Sequence, residues 1–453
     1  MVLVRSGQNE QKIEEESLKM KQLNWRYATM FATLGVLASP NADAASFSLN
    51  LEKNAALIGQ AGAGSATATN PAGMSANPAS MVYAVCDKQK IAMEAAAVFV
   101  APTAKATIHQ ALSTGGVTMT GGNGGNAGKS AVVPSAFIMW HVNEKVRLGL
   151  GLTVPFGLST TWASDWQGRQ RAIESKLETV DVNPSIAFKL NNFVSVGAGV
   201  SFLWGHAKLS KAPFSQTVLA DNGIVTLEGS DVGYGFNGGI MVKPREHTRL
   251  GLSYRSPVKL SVRGTLTHNL TAASVGAAGF SPTGSPVFAA LTLPETVTFS
   301  IHHDVNKKWS VMADALFTRW SRFDRLVTDT PAATGATYTS STETYLYKNT
   351  WLYALGVNYK HCDALLFKAG VGYDQSPTRN EFRDFRIPDQ DRIFGSAGVS
   401  YAFMKNLKGS LDYTFVKARK PKIQLAGNTS VGTVNATINA YAHVVGVGLR
   451  YAF

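Results

Sequence analysis

Residue types able to do covalent or metal chemistry are few in this 453-residue chain, which has nine histidines and two cysteines. Turnover of an ester would need a Ser/His or acid/His arrangement within reach of one bond. His302-His303, His361 and His443 each lie among ordinary strand or turn residues, and they read as surface or luminal histidines. Cys86 and Cys362 stand 276 positions apart, without a CxxC or a Cys/His pair at metal-ligand spacing. No enzyme, no metal and no cofactor are expected. One local device remains: Pro155 cannot donate to a β ladder and Gly157 tolerates unusual dihedrals, so Pro155-Phe156-Gly157 suits a broken strand.

The elements that would position these residues are strands of one kind. In Val444-Val445-Gly446-Val447-Gly448-Leu449-Arg450-Tyr451-Ala452-Phe453 every odd position from Val445 onward is bulky and apolar or aromatic, and the even ones from Gly446 are Gly, Arg or Ala. A face compatible with lipid opposite a face of small and polar groups fits a membrane barrel. The pattern recurs in Val146–Leu152, Val194–Phe202 and Leu250–Arg255. With 42 glycines, 10% aromatic and 16% charged residues and a mean hydropathy of −0.01, the chain is too polar for helical spans. After residue 50 nothing approaches the roughly 18 to 20 uninterrupted apolar residues such a span requires.

The front of the chain reads as a secretory leader. Lys21 and Arg26 precede the apolar run Tyr27–Ala38, and Ala42-Asp43-Ala44 supplies small residues at a cleavage site. Residues 1–44 are therefore expected to be removed, with Met20 a possible true start. The leader carries five basic and five acidic residues, so the net charge of +13 is unchanged by its loss. The bases are scattered over strands and loops, which argues against nucleic acid. Anionic lipid head groups or anionic solutes are the better match. The two cysteines fall in segments expected to face a compartment that permits disulfides, and they read as independent.

Fourteen strands are expected, beginning near Ile91, Ala131, Val146, Val180, Val194, Asp231, Arg249, Glu295, Ser310, Trp351, Leu365, Asp391, Leu411 and Ala442. Short connections such as Val142–Lys145, Leu190–Asn192 and Met404–Asn406 alternate with long ones: His109 to Lys129, the stretch after Lys211, Thr267 to Leu291, Thr328 to Thr344. Tight periplasmic turns and extended outer loops have this asymmetry. Seven tryptophans (140, 162, 166, 204, 309, 320 and 351) lie near strand ends, where an aromatic girdle would sit. The fold class is all-β: a 14-stranded antiparallel transmembrane β-barrel over 86–453, with residues 45–85 as a plug in its lumen. That plug segment does not alternate, and its glycines, Pro71 and Pro78 punctuate turns.

Several blocks resemble a known family. Ser75-Ala76-Asn77-Pro78-Ala79, preceded by Gly62-Ala63-Gly64-Ser65-Ala66, is similar to the plug of the FadL-type long-chain fatty acid transporters of outer membranes. Phe156–Thr160, Gly233–Gly239 with Tyr254-Arg255-Ser256, and Leu293-Pro294-Glu295 follow in family order. Asp374-Gln375-Ser376-Pro377 with Ile387–Arg392 is the most specific block.

The resemblance implies loops that collect a hydrophobic ligand, a luminal pocket closed by the plug, and a lateral hole at a kink in the third strand. The kink maps onto Pro155, Phe156 and Gly157, with Asn77, Pro78 and Ala79 as the mobile contact between plug and kink. Asp374 and Arg392 match charged luminal positions, either bracing the wall or serving transport. Lys211 stands at one basic position for a carboxylate head group. At the other the chain has Glu343, with Lys348 five residues on, which makes a neutral hydrocarbon ligand credible beside the favoured fatty acid. The expected partners are that ligand, outer-membrane lipid and lipopolysaccharide, and the barrel-assembly machinery, for a monomer. Two readings from other classes are a non-specific porin, disfavoured by the segment 45–85, and an adhesin or phage receptor acting through the long loops.

Overall fold

The computed structural model describes residues 55–84, 90–113, 116–212, 223–270, 281–331, 338–426 and 432–453. The expected leader, residues 45–54 of the expected plug, and Cys86 lie outside the described residues. Twenty β segments join in one sheet. In chain order they are β1 Ile91–Ala111, β2 Ala131–His141, β3 Val146–Thr153, β4 Gly157–Thr161, β5 Glu174–Lys189, β6 Val194–Lys211 and β7 Val225–Arg245. Next come β8 Thr248–Arg255, β9 Val258–His268, β10 Ser285–Leu293, β11 Thr296–Asp304, β12 Trp309–Thr318, β13 Arg325–Pro331 and β14 Tyr338–Thr344. The last six are β15 Thr350–Lys360, β16 Leu365–Asp374, β17 Arg392–Ala402, β18 Leu407–Ala418, β19 Lys422–Leu425 and β20 Val434–Ala452.

Six staves of the wall are each built from two collinear segments: β3/β4, β8/β9, β10/β11, β12/β13, β14/β15 and β18/β19. β7, for example, pairs with β8 along its lower part and with β9 along its upper part. The twenty segments therefore make fourteen antiparallel staves, and β20 closes on β1 from Ala92↔Ala452 to Ala111↔Val434. Four of the six breaks contain a proline, Pro155, Pro257, Pro294 or Pro421, as expected of a residue that cannot donate to a ladder. No described helix is long and apolar enough to cross a membrane.

Alternation sorts the wall into two faces. Val447, Leu411 and Leu355 are each more than half exposed outward, while Val444, Val416 and Ala354 are buried inward. The upper wall extends further than alternation reveals: β10 begins at Ser285 and β13 and β14 form a hairpin, where long loops were expected. Three of the girdle tryptophans are also placed differently, since Trp162, Trp166 and Trp320 are buried inside. Trp162 and Trp166 stack at 4.6 Å and take Phe385 edge-on, so they roof the barrel instead of girdling it.

Residues 55–84 fold as 3₁₀ turns, Ala55–Gln60, Pro71–Ser75 and Pro78–Ser80, followed by the helical turn Met81–Ala84. The turns lie inside the barrel, packed against inward-facing wall residues such as Val98, Met312 and Val444. Wall side chains bind them through backbone groups: Asp314 accepts from the Gly64 and Ser65 amides at 3.0 Å each, and Glu94 from the Ala72 amide at 3.1 Å. Thr414 Oγ1 donates to the Ile58 carbonyl at 3.1 Å, and Arg450 donates to the carbonyls of Thr69 and Ala84.

Candidate functional site

The third stave breaks where Pro155 predicts. Pairing with β5 stops at Thr153↔Asp181 and resumes at Gly157↔Glu178, so three residues, 154 to 156, oppose two. This is a one-residue bulge. Thr179 clasps it: its hydroxyl accepts from the Phe156 amide at 3.0 Å and donates to the Phe156 carbonyl at 2.6 Å. On the other side the β2–β3 ladder ends at Ala136↔Leu152. Ala131 to Ser135 remain paired with β1, yet none has a ladder partner on the third stave among the described residues. The next link is the single bridge Gly128↔Thr160, so a seam opens between the second and third staves.

The two sides of that seam differ from aqueous surface. Inside, Phe156 belongs to a buried apolar cluster with Leu158, Leu203, Leu260, Trp320 and Tyr347. Phe156 meets Trp320 edge-on at 6.3 Å, and Trp320 meets Tyr347 at 6.1 Å. Outside, Ala136 and Leu152, the last ladder pair, border a lipid-facing groove of about 480 Å³ that continues over Ala97, Val447, Leu411 and Tyr401.

The bonds of Asn77-Pro78-Ala79, which was expected to meet this kink, run to other staves. Asn77 donates to the carbonyls of Ile240 and Leu252 at 3.2 and 3.4 Å, and Ser195 donates to the Ala79 carbonyl at 3.1 Å. The tripeptide therefore docks on β6, β7 and β8. Carbonyl oxygens carry two lone pairs, so a side-chain amide binds an intact ladder and needs no broken one. Access comes from glycine: a Cβ at Gly239 would lie 2.1 Å from Asn77 Oδ1, and one at Gly197 2.6 Å from the Ala79 nitrogen. Facing β3, the segment presents Met74, whose Cε would be 2.8 Å from a Cβ at Gly149. Beside the plug, a cavity lined by Leu57, Pro78, Tyr254, Arg255 and Asp314 holds only about 90 Å³. Drug-sized ligands occupy roughly 300–1,000 Å³, so this cavity is too small for one in this conformation.

Asp374 and Arg392 face each other across β16 and β17, with Arg392 donating to Asp374 at 2.6 Å. Their surroundings belong to the loop 375–391. Asp391 accepts from Tyr373 and the Ser376 amide, and Asp389 accepts from Ser376 Oγ, each within 2.9 Å. Arg383 donates to the Asp389 carbonyl at 2.7 Å, which ties in the turn that carries Phe385.

Lys211 and Glu343 come within 3.7 Å of each other, so the expected head-group cation already has an anionic neighbour. Arg171, Asp384 and Arg386 share their field. Arg386 is buried, donates to Ser175 Oγ at 3.1 Å, and keeps its Nε unpaired among the described residues. Lys348 is not bonded to this site: it is exposed, and its backbone amide binds the Pro377 carbonyl. Thr179, Asp314 and Arg386 escaped the sequence reading. Only Asp314 had a usable signal, as a lone acid on the inward face of β12 between Met312 and Leu316.

Comparisons with known proteins bear on this geometry. The family model described as Outer membrane protein transport protein (OMPP1/FadL/TodX) matches residues 35–453. The chain is 28% identical to the long-chain fatty acid transport protein of Escherichia coli O6:H1, with 92% of this chain and 96% of that protein covered. It is also 28% identical to outer membrane protein P1 of Haemophilus influenzae, with 96% and 100% covered. A Pseudomonas aeruginosa FadL homologue of known structure superposes with a TM-score of 0.81 at 27% identity, over 90% of this chain and 100% of that one. The Ralstonia pickettii toluene transporter TbuX shares the fold, with a TM-score of 0.63 at 20% identity over 89% and 99%.

Proposed function

We propose, from the premise that the chain belongs to the OMPP1/FadL/TodX family of outer-membrane transport proteins, that it carries long-chain fatty acids inward and releases them sideways through the third stave. One observation supports this reading: the unpaired seam beside Pro155-Phe156-Gly157 has an apolar luminal cluster on its inner side and, at its lower edge, a lipid-facing groove on its outer side. An acyl chain gains about 0.8 kcal/mol per CH₂ removed from water, so a water-filled pore would offer it nothing. A path that stays apolar from lumen to bilayer lets it move down its own gradient.

Residues 45–85 act as the gate, with Asn77-Pro78-Ala79 fastening it to β6, β7 and β8. Asp374 and Arg392 brace the wall beneath the roof loop. The carboxylate end of the ligand meets Lys211 and Arg386, above the ring cluster. A second reading, neutral hydrocarbons, is favoured by the proximity of Lys211 to Glu343, which leaves less free positive charge for a carboxylate. The finer assignments are a leader cleaved after Ala44, delivery by the barrel-assembly machinery, and a monomer seated in lipopolysaccharide.

Gly157→Arg tests the exit. Uptake of a labelled fatty acid should fall at least tenfold while heat-modifiable mobility on gels shows an assembled barrel; unchanged uptake sinks the lateral route. Competition by toluene in the same assay separates the two ligand classes. Large steady currents in planar bilayers would instead identify an open porin.

A further inference from the structure

We infer that the outer rim of the first, thirteenth and fourteenth staves is a docking surface for the phosphates of an outer-leaflet lipid. On β20, Tyr451 and Tyr441 mark two levels of the outward face. The ten residue steps from one to the other rise about 3.3 Å each and, at a tilt near 40°, climb about 25 Å, the height of a barrel's apolar band. The upper level is a compact ring cluster. His443 Nδ1 lies 2.8 Å from the Tyr413 hydroxyl, with Phe415 at 5.3 Å and Tyr441 at 5.8 Å between centroids.

Cations stand on and just above those rings. Lys417 Nζ lies 5.2 Å from the Tyr441 ring centroid and donates to Asn439 at 3.0 Å. Lys105 is opposite Asn439 in the β1–β20 ladder, and Lys422 is opposite Thr437 in the β19–β20 ladder. His109 Nε2 is 3.2 Å from Thr437 Oγ1. Lys105 and Lys422 are exposed, with Ala104, Ala106 and Ile423 buried behind them, so their side of the wall is the outer one. No Asp or Glu occurs in 95–111, 413–425 or 434–452. Asp391, whose carbonyl accepts from the Arg419 amide, has its carboxylate already bonded to Tyr373 and Ser376. A rim with several cations and no acidic residue on its own stretches of these three staves among the described residues, directly above an aromatic girdle, presents amines at the level where lipid phosphates lie. Acyl chains below would pack on the rings.

The full-length protein in nanodiscs containing lipid A tests this, with bound lipid counted by native mass spectrometry. Lys105→Gln/Lys417→Gln/Lys422→Gln should weaken retention of phosphorylated lipid A on the order of a hundredfold, each surface cation contributing about fivefold. Phosphate-free lipid A should bind equally weakly to parent and variant. A control with Lys145→Gln/Lys307→Gln/Lys405→Gln on the periplasmic turns should keep the parent's affinity, and fatty acid uptake should be unchanged in both. If the triple variant fails to assemble, Lys417→Gln alone should lose about fivefold. Equal retention by parent and rim variant overturns the inference. So does equal loss in the periplasmic control, which would leave net charge as the cause. Displacement of the lipid by millimolar inorganic phosphate would assign a free-anion site in place of a lipid one.

Discussion

Below Thr153 the lumen is occupied by small residues bonded to the wall through their backbones, whereas above it the space is occupied by interlocked rings. Asp314, Glu94 and Thr414 bind the lower segment at fixed donor and acceptor positions. Phe156, Trp320, Phe323 and Tyr347 fill the upper half by shape. Directional bonds are made or broken as units, while ring packing yields gradually as side chains turn. The lower half is therefore built to hold or release, and the upper half to deform around a guest.

Substitutions can break this contrast from either side. The largest effect is expected from Asp314→Leu, which strands two buried amides at about 1–3 kcal/mol each. The segment should loosen, seen as raised single-channel conductance and greater sensitivity to large antibiotics; parent-level conductance would show that the carboxylate is not an anchor. Trp166→Ala removes a fully buried ring from the roof, a loss of about 3–5 kcal/mol locally. It should expose the loop 375–391 to protease while leaving conductance low, which separates roof from gate. Thr179→Val deletes both bonds to Phe156 and should shift the barrel's thermal midpoint down by a degree or a few, corresponding to about 1–3 kcal/mol.

The smallest effect concerns pH. Burial pushes the Asp384 carboxyl above its ordinary value, Glu343 acts in the same direction, and Arg386 and Arg171 oppose it. A carboxyl raised in the folded roof favours the roof when protonated. Its contribution is thus present below the ordinary carboxylate value near 4 and lost as pH rises through the folded value. Protease nicking of the loop should increase over that interval, and Asp384→Asn should flatten the dependence.

Alternation made the lower wall legible, because lipid outside and small residues inside impose a strict period of two from Val146 to Leu152 and from Val445 to Phe453. It failed above the membrane, where β9, β10, β13 and β14 face water and the alternation carries no lipid signal. Pro155 announced its break through its missing N–H, but nothing in a single chain announces Thr179 as the clasp. The tryptophans misled for a related reason: nearness to a strand end does not distinguish a girdle from a roof. Asn77 was recognised by its motif, yet its partners are carbonyls of β7 and β8, which have no residue signature at all.

The ladder between β1 and β20 has a consequence for how the molecule comes into being. It unites Ala92 with Ala452, segments from opposite ends of the described chain, whereas most other staves meet a sequence neighbour. Until that junction forms, the sheet is an open ribbon with two long unpaired edges, each a template for the wrong strand. Closure is therefore the slow and vulnerable step of maturation, since contacts between distant parts of a chain are the last to repay their ordering. Residues 55–84, tethered beside Lys90 at the lower end of β1, hang at the mouth of the same junction, so the event that seals the wall also decides what is sealed inside it.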